Sequence, residues 1–129
     1  MHTLKNDILT VEVSGHGAEL TSIRKGSTEY LWQADPAFWG RHSTVLFPIV
    51  GSVWEKRYRV EGKEYELGQH GFARDMDFTL VDATETEVRY RLESTPETLA
   101  KYPWPFVLEI AYRLHDGNLD VIWEVSNPG

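Results

Sequence analysis

The fold class this sequence predicts is all-β: an antiparallel β-sandwich carrying one short helix. Three observations predict it. Apolar residues recur at every second position through much of the 129-residue chain, which is the spacing of half-buried strands. Asp116-Gly117 and Glu61-Gly62 interrupt such runs, as hairpin turns require. Helix punctuation occurs only around Pro96 to Lys101.

The elements follow in order. Leu9, Val11 and Val13 predict an opening strand, and Ser14-Gly15-His16-Gly17 turns the chain back so that Ala18 to Arg24 pairs with it. Tyr58-Arg59-Val60 and Lys63 to Leu67 flank Glu61-Gly62 as a hairpin. Met76, Phe78 and Leu80 alternate with Asp77 and Thr79, and Val88, Tyr90 and Leu92 alternate with charged residues, which predicts two more strands. Ser94 or Thr95 can cap a helix over Pro96 to Lys101 that Pro103 stops. Phe106, Leu108, Ile110, Tyr112 and Leu114 then share one face, with Glu109 and Arg113 on the other. Across Asp116-Gly117, Leu119, Val121, Trp123 and Val125 repeat the pattern. Asn127-Pro128-Gly129 is a turn signal directly after this strand. It predicts that the chain is the first part of a larger fold. The expectation is then that the last strand's open edge, with the apolar faces around Trp123 and Phe106, pairs with a second copy of the chain.

Two segments break the alternation: Ala34 to Ser52 and Leu67 to Asp75. Both concentrate aromatic, glycine and cationic or imidazole groups, and irregular segments on a rigid β scaffold are where function usually sits.

Composition narrows the function. Hydrophobic residues make up 41% of the chain, enough for a core, and aromatic residues 12%. The chain has no cysteine, which excludes disulfides and thiolate chemistry. A net charge of −7 repels a phosphate polymer and speaks against nucleic acid. No run is apolar for long enough to span a bilayer. Met1 to Asp7 contains no apolar stretch resembling a secretory signal. A cytoplasmic protein without membrane attachment is the expectation.

Serine-nucleophile, phosphate-loop and dinucleotide motifs are absent, and the histidines at 2, 16, 42, 70 and 115 show no metal-ligand spacing. His70-Gly71-Phe72-Ala73-Arg74 is the sharpest local signal. A glycine beside a histidine permits a tight backbone turn, and an imidazole can donate to a sugar hydroxyl or exchange a proton. The same residues also fit a turn with a satisfied histidine and a surface arginine. Arg41 offers a donor fork to substrate oxygens, or an ion pair with a nearby acid. Arg74 can brace its loop or meet an anionic group. Trp39, Phe47 and Phe72 fit either a sugar pocket or the core. Lys56, Arg57, Arg59 and Lys63 read as a solvated face.

Three segments taken in order carry a resemblance. Gly17-Ala18-Glu19-Leu20-Thr21-Ser22-Ile23, then Trp39-Gly40-Arg41-His42 through Leu46-Phe47-Pro48-Ile49-Val50-Gly51, then His70-Gly71-Phe72-Ala73-Arg74-Asp75 resemble the aldose 1-epimerase (galactose mutarotase-like) family. They look closest to its mutarotase-related and hexose-6-phosphate mutarotase branch. The resemblance runs the length of the chain and implies that residues 1–129 are the N-terminal part of a β-supersandwich. It implies interconversion of the α and β anomers of an aldose or hexose phosphate, without cofactor or metal. Arg41 matches the family's substrate-binding arginine, and His70 matches its first active-site histidine, a catalytic position that contacts sugar oxygens. Arg74 matches the arginine of the hexose-phosphate branch's signature. The family's second histidine and its glutamate base have no counterpart here, so the isolated chain is expected to be inactive. A non-catalytic sugar-binding module is the alternative, and a β-sandwich interaction module a third.

Overall fold

The structure, a computed structural model, describes residues 1–129. Two four-stranded antiparallel sheets and a small hairpin make up the chain. The first sheet has the order β1 (His2–Lys5), β2 (Thr10–Ser14), β3 (Glu19–Lys25), β4 (Thr28–Glu29). β5 (Arg57–Val60) and β6 (Lys63–Glu66) form the hairpin. The second sheet runs β10 (Asn118–Ser126), β9 (Val107–His115), β8 (Glu87–Glu93), β7 (Thr79–Ala83).

Strand alternation builds the core. In register, Leu92 faces Leu108, Tyr90 faces Ile110 and Val88 faces Tyr112, so these side chains share one face of the second sheet. All are buried, and they pack with Leu4, Val11, Val13 and Leu20 of the first sheet in one cluster. Each such aliphatic chain contributes roughly 1.5–3 kcal/mol by leaving water. On the opposite face Glu109 and Glu124 sit directly across from each other. Arg89 relieves that repulsion by donating to both, at 3.0 and 2.7 Å. Arg91 donates to the other oxygen of Glu109 at 2.6 Å.

Several sequence expectations are met with small shifts. Glu61 and Gly62 both adopt left-handed φ (49° and 81°), as the tight hairpin requires. The helix, α1, spans Pro96–Lys101. Thr95 caps it and Thr98 reciprocates: Thr98 N–H donates to Thr95 Oγ1 and Thr95 N–H to Thr98 Oγ1.

Three expectations need correction. The chain opens on β1, not on Leu9 to Val13, because His2–Lys5 pairs with Thr10–Val13. Met76, Phe78 and Leu80 do not form one strand. β7 begins at Thr79, and a register irregularity between Leu80 and Asp82 breaks the alternation, so Phe78 is buried and Leu80 exposed. Phe106 is not uncovered. It is buried under Phe47 and Phe72, at ring-centroid distances of 5.0 and 5.9 Å.

The expected open face lies on β10 alone. Val121, Trp123 and Val125 share the core-side face with Tyr112, Ile110 and Leu108 of β9. The β9 residues are sealed, while those of β10 remain 47, 44 and 57% exposed. The first sheet's cover ends before β10, which is an edge strand with β9 as its one partner. No helix is long and apolar enough to cross a membrane.

Candidate functional site

The two irregular segments meet. Phe47 and Gly71 form a parallel bridge, and the Phe47 carbonyl accepts from the N–H groups of Phe72 and Ala73 at 3.0 and 3.2 Å. Phe47 and Phe72 are buried, so the core reading of these two aromatics is realised and they anchor the loops from below. Gly71 is required here: its φ is +72°, and a Cβ would lie 2.2 Å from the Phe47 oxygen. The turn at Gly15–Ala18 joins them. Gly17 N–H donates to the Met76 carbonyl, and a Cβ on Gly17 would lie 2.7 Å from the Arg74 oxygen.

His70 is clasped to Gly51. The Gly51 N–H donates to His70 Nδ1 at 2.8 Å, and the His70 N–H donates to the Gly51 carbonyl at 2.7 Å. An Nδ1 that accepts a backbone N–H carries no proton, so the neutral ring holds its proton on Nε2. His70 is thereby set as a donor through Nε2. Its own φ is +62°, an uncommon conformation for a residue with a side chain, and the two-way clasp holds it there.

Arg41 is placed by Glu19. One carboxylate oxygen of Glu19 accepts from the N–H groups of His42 and Ser43 at 3.0 and 2.9 Å, fixing the backbone that follows Arg41. Arg41 Nη2 lies 3.0 Å from Asp75, so the ion-pair reading of this arginine is realised. Both side chains are substantially exposed, so the pair is weak and its fork can be redirected. Arg74 Nε lies 3.9 Å from the same Asp75, and its Nη2 reaches the Gln69 carbonyl at 3.4 Å. With its side chain 19% exposed and Nε buried without a hydrogen-bond partner, Arg74 braces the loop. Asp75 therefore joins Arg41 to the loop that carries His70 and Arg74.

Behind Glu19, burial pushes the Tyr112 phenol well above its ordinary value, and the Glu19 carboxylate acts in the same direction. Protonated, Tyr112 donates to the Ala18 carbonyl and ties β9 to the Gly17-Ala18 turn. No group of acidic, histidine or cysteine residues suited to a metal ion is present. A cavity of about 690 Å³ lies between the β5–β6 hairpin, α1 and the far side of the His70 loop. It shares Gly71, Phe72 and Asp75 with that loop but is lined by neither Arg41, His70 nor Arg74. Its mostly polar walls carry both signs of charge, so the loop geometry is the better guide to chemistry.

The family model for aldose 1-epimerase matches residues 1–129. The chain belongs to the aldose 1-epimerase family. It is 37% identical over 131 residues to Protein LacX, chromosomal, of Lactococcus lactis subsp. lactis, covering 96% of this chain and 44% of that protein. It is also similar to the galactose mutarotase related enzyme from Lactobacillus acidophilus, with 40% identity and a TM-score of 0.96 over 98% of this chain and 43% of the other. A galactose mutarotase-like protein from Lactobacillus casei ATCC 334 gives 38% identity and a TM-score of 0.95, over 98% of this chain and 44% of that one. The chain thus spans less than half the length of these relatives. Family membership supports a sugar epimerase or mutarotase kind of function.

Sequence reasoning named Arg41, His70 and Arg74 but missed their positioning partners. Glu19, Gly51 and Asp75 lie inside the quoted motifs without a role. All three act through contacts between segments distant in sequence.

Proposed function

We propose that this chain carries the sugar-contacting part of an enzyme that interconverts the α and β anomers of an aldose or hexose phosphate. The observation that carries the reading is the Gly51–His70 clasp, which presets the imidazole as an Nε2 donor. In anomer exchange a base takes the proton of the anomeric hydroxyl and an acid protonates the ring oxygen. The ring opens, rotates about C1–C2 and recloses. His70 Nε2–H donates to a sugar oxygen, holding the ring while charge moves between its oxygens. Arg41 leaves Asp75 and turns its fork to neighbouring sugar oxygens on the same ring. Arg74 holds the loop, and a phosphate on the substrate would draw its guanidinium away from the Gln69 carbonyl. The acid–base pair itself is supplied by groups outside residues 1–129, without metal or cofactor, in a cytoplasmic protein. A second copy of this chain pairs along β10 in their absence.

Polarimetry with fresh glucose, galactose and glucose 6-phosphate tests the catalytic half of the reading. The isolated chain should leave mutarotation at the buffer rate. A faster rate that vanishes in His70→Ala would overturn the assignment of acid and base. Sugar titration followed at the His70 ring by NMR tests the binding half. Loss of binding in both Arg41→Ala and His70→Ala is expected, and unchanged binding in both would refute the site.

A further inference from the structure

We propose that Asp75 is a specificity residue: its carboxylate stands between Arg41 and Arg74 as an internal anion and turns the site toward a neutral sugar and away from a sugar phosphate. The inference rests on the sugar-contacting role proposed for Arg41 and names the substrate class of that same site.

Two guanidinium groups meet one carboxylate. Arg41 Nη2 lies 3.0 Å from Asp75 Oδ1, and Arg74 Nε lies 3.9 Å from Asp75 Oδ2. Each oxygen thus faces a different arginine, and neither arginine has a second carboxylate as an ion-pair partner. The backbone beneath them is fixed. Arg74 and Asp75 share one short turn, Ala73–Asp75, in which the Asp75 N–H donates to the Phe72 carbonyl. Arg41 arrives from the other segment, where Glu19 accepts from the His42 and Ser43 N–H groups.

The Asp75 carboxylate takes no part in that fixation. The His70 loop is held through the backbone of Phe47 and Gly51, and none of its N–H groups donates to the Asp75 side chain. Arg74 is braced by the Gln69 carbonyl, while its Nε is buried without a hydrogen-bond partner. At 3.9 Å Asp75 is too far to supply one. What Asp75 contributes to this place is charge.

The consequence is electrostatic. Arg41, Arg74 and Asp75 sum to a single positive charge, and without the carboxylate the same place carries two. A phosphate group bearing about −1.5 to −2 must displace the carboxylate from the arginines and then sit beside it. A sugar hydroxyl needs only the fork of Arg41 and meets no such repulsion. One unit charge at about 4 Å in water-like surroundings changes an affinity several-fold, and the charge of a phosphate raises that to roughly tenfold. The net charge of −7 repels an anion at long range, so Asp75 sharpens locally a preference that the whole surface shares.

The test titrates the full 129-residue chain and its Asp75→Asn and Asp75→Glu variants with glucose, glucose 6-phosphate and inorganic phosphate, followed by NMR at the His70 ring and the arginine Nε–H signals. An exposed ion pair adds little to stability, so both variants should melt with the parent chain. Asp75→Asn should raise the affinity for glucose 6-phosphate relative to glucose by roughly tenfold, and added salt should shrink the gain. Asp75→Glu, which keeps the charge, should keep the parent's preference. Inorganic phosphate should move the Arg41 and Arg74 signals further in Asp75→Asn than in the parent. If both sugars move His70 but their affinity ratio is the same in Asp75→Asn as in the parent, the specificity role is refuted and the site stands. An equal change of ratio in Asp75→Glu and Asp75→Asn would mean packing and not charge, and would overturn the proposal too. If His70 responds to neither sugar in any of the three proteins, the site falls and the role of Asp75 with it.

Discussion

Replacing Gly71 by alanine tests whether the His70 loop is built as described. Alanine at φ +72° carries about 1–2 kcal/mol of left-handed strain. Its Cβ would also lie 2.2 Å from the Phe47 oxygen and 2.6 Å from the Pro48 ring, well inside the 3.0 Å that real Cβ contacts keep. Relief requires moving the Phe47 carbonyl, which is the shared acceptor of Phe72 and Ala73 N–H. Two such hydrogen bonds are each worth about 1 kcal/mol. The expected destabilisation is about 3–4 kcal/mol, a large part of the ~5–15 kcal/mol of a domain this size. Gly62→Ala is the control: its φ is +81°, but nothing lies within 4 Å of a Cβ there. It should lose only the conformational part. Urea denaturation of both variants, analysed at constant slope, gives the difference. Equal losses in the two would show that Gly71 is not wedged against Phe47, and the loop-on-loop packing would have to be abandoned.

Further outcomes follow from the other contacts. Glu19→Ala should strip hydrogen-exchange protection from the His42 and Ser43 amides while Glu19→Gln, which keeps a carbonyl acceptor, retains part of it; unchanged protection in Glu19→Ala would remove Glu19 from the placing of Arg41. The Arg91 hydrogen bond, opposed by burial and helped by Arg89, holds Glu109 below the usual carboxylate range. A lowered folded value means stability that is complete above the unfolded value of about 4.3 and lost as pH falls through the folded one. Glu109→Gln should therefore destabilise at neutral pH, with the gap to the parent closing in acid; a pH-independent gap in thermal melts would refute the network's electrostatic role. Sedimentation across a concentration series should show dimers that Trp123→Lys dissociates, burying more than ~1,000 Å² in total if the pairing is specific. A stable monomer at high concentration would refute pairing along β10.

β8 and β9 were legible because each has one sealed face and one largely charged face, so period two is written directly in Val88–Leu92 and Leu108–Leu114. α1 was legible because Thr95, Pro96 and Pro103 punctuate it. β1 was not: His2–Lys5 holds one apolar residue, Leu4, and exists through pairing with β2. The run from Met76 to Leu80 misled because a strand irregularity is a property of the pair, not of the run. The site divides along the same line. Arg41 and His70 are visible in their motifs, whereas the groups that aim them are backbone N–H donors and carboxylates from other segments. Phe47 and Phe72 were ambiguous for the same reason, since an aromatic in an irregular segment takes its role from what lies beneath it.

A continuous set of contacts links the open edge of the sheet to the site loop. Val121 of β10 pairs directly across from Tyr112 of β9. Tyr112 holds the Ala18 carbonyl, Gly17 beside it packs under the Arg74 carbonyl, and Arg74 closes the loop back to Gln69, next to His70. Every link of the path is a packed or hydrogen-bonded contact. It explains how a loop with left-handed histidine geometry can be held firmly by a strand at the middle of the second sheet. It also assigns different duties to the chain's two faces. The hydrogen bonds and ion pair that set Arg41 and His70 directly all lie within residues 19–75. On the function proposed above, sugar contact is then separable from anomer exchange: the first uses the preset donors of this chain, and the second an acid and a base brought against them.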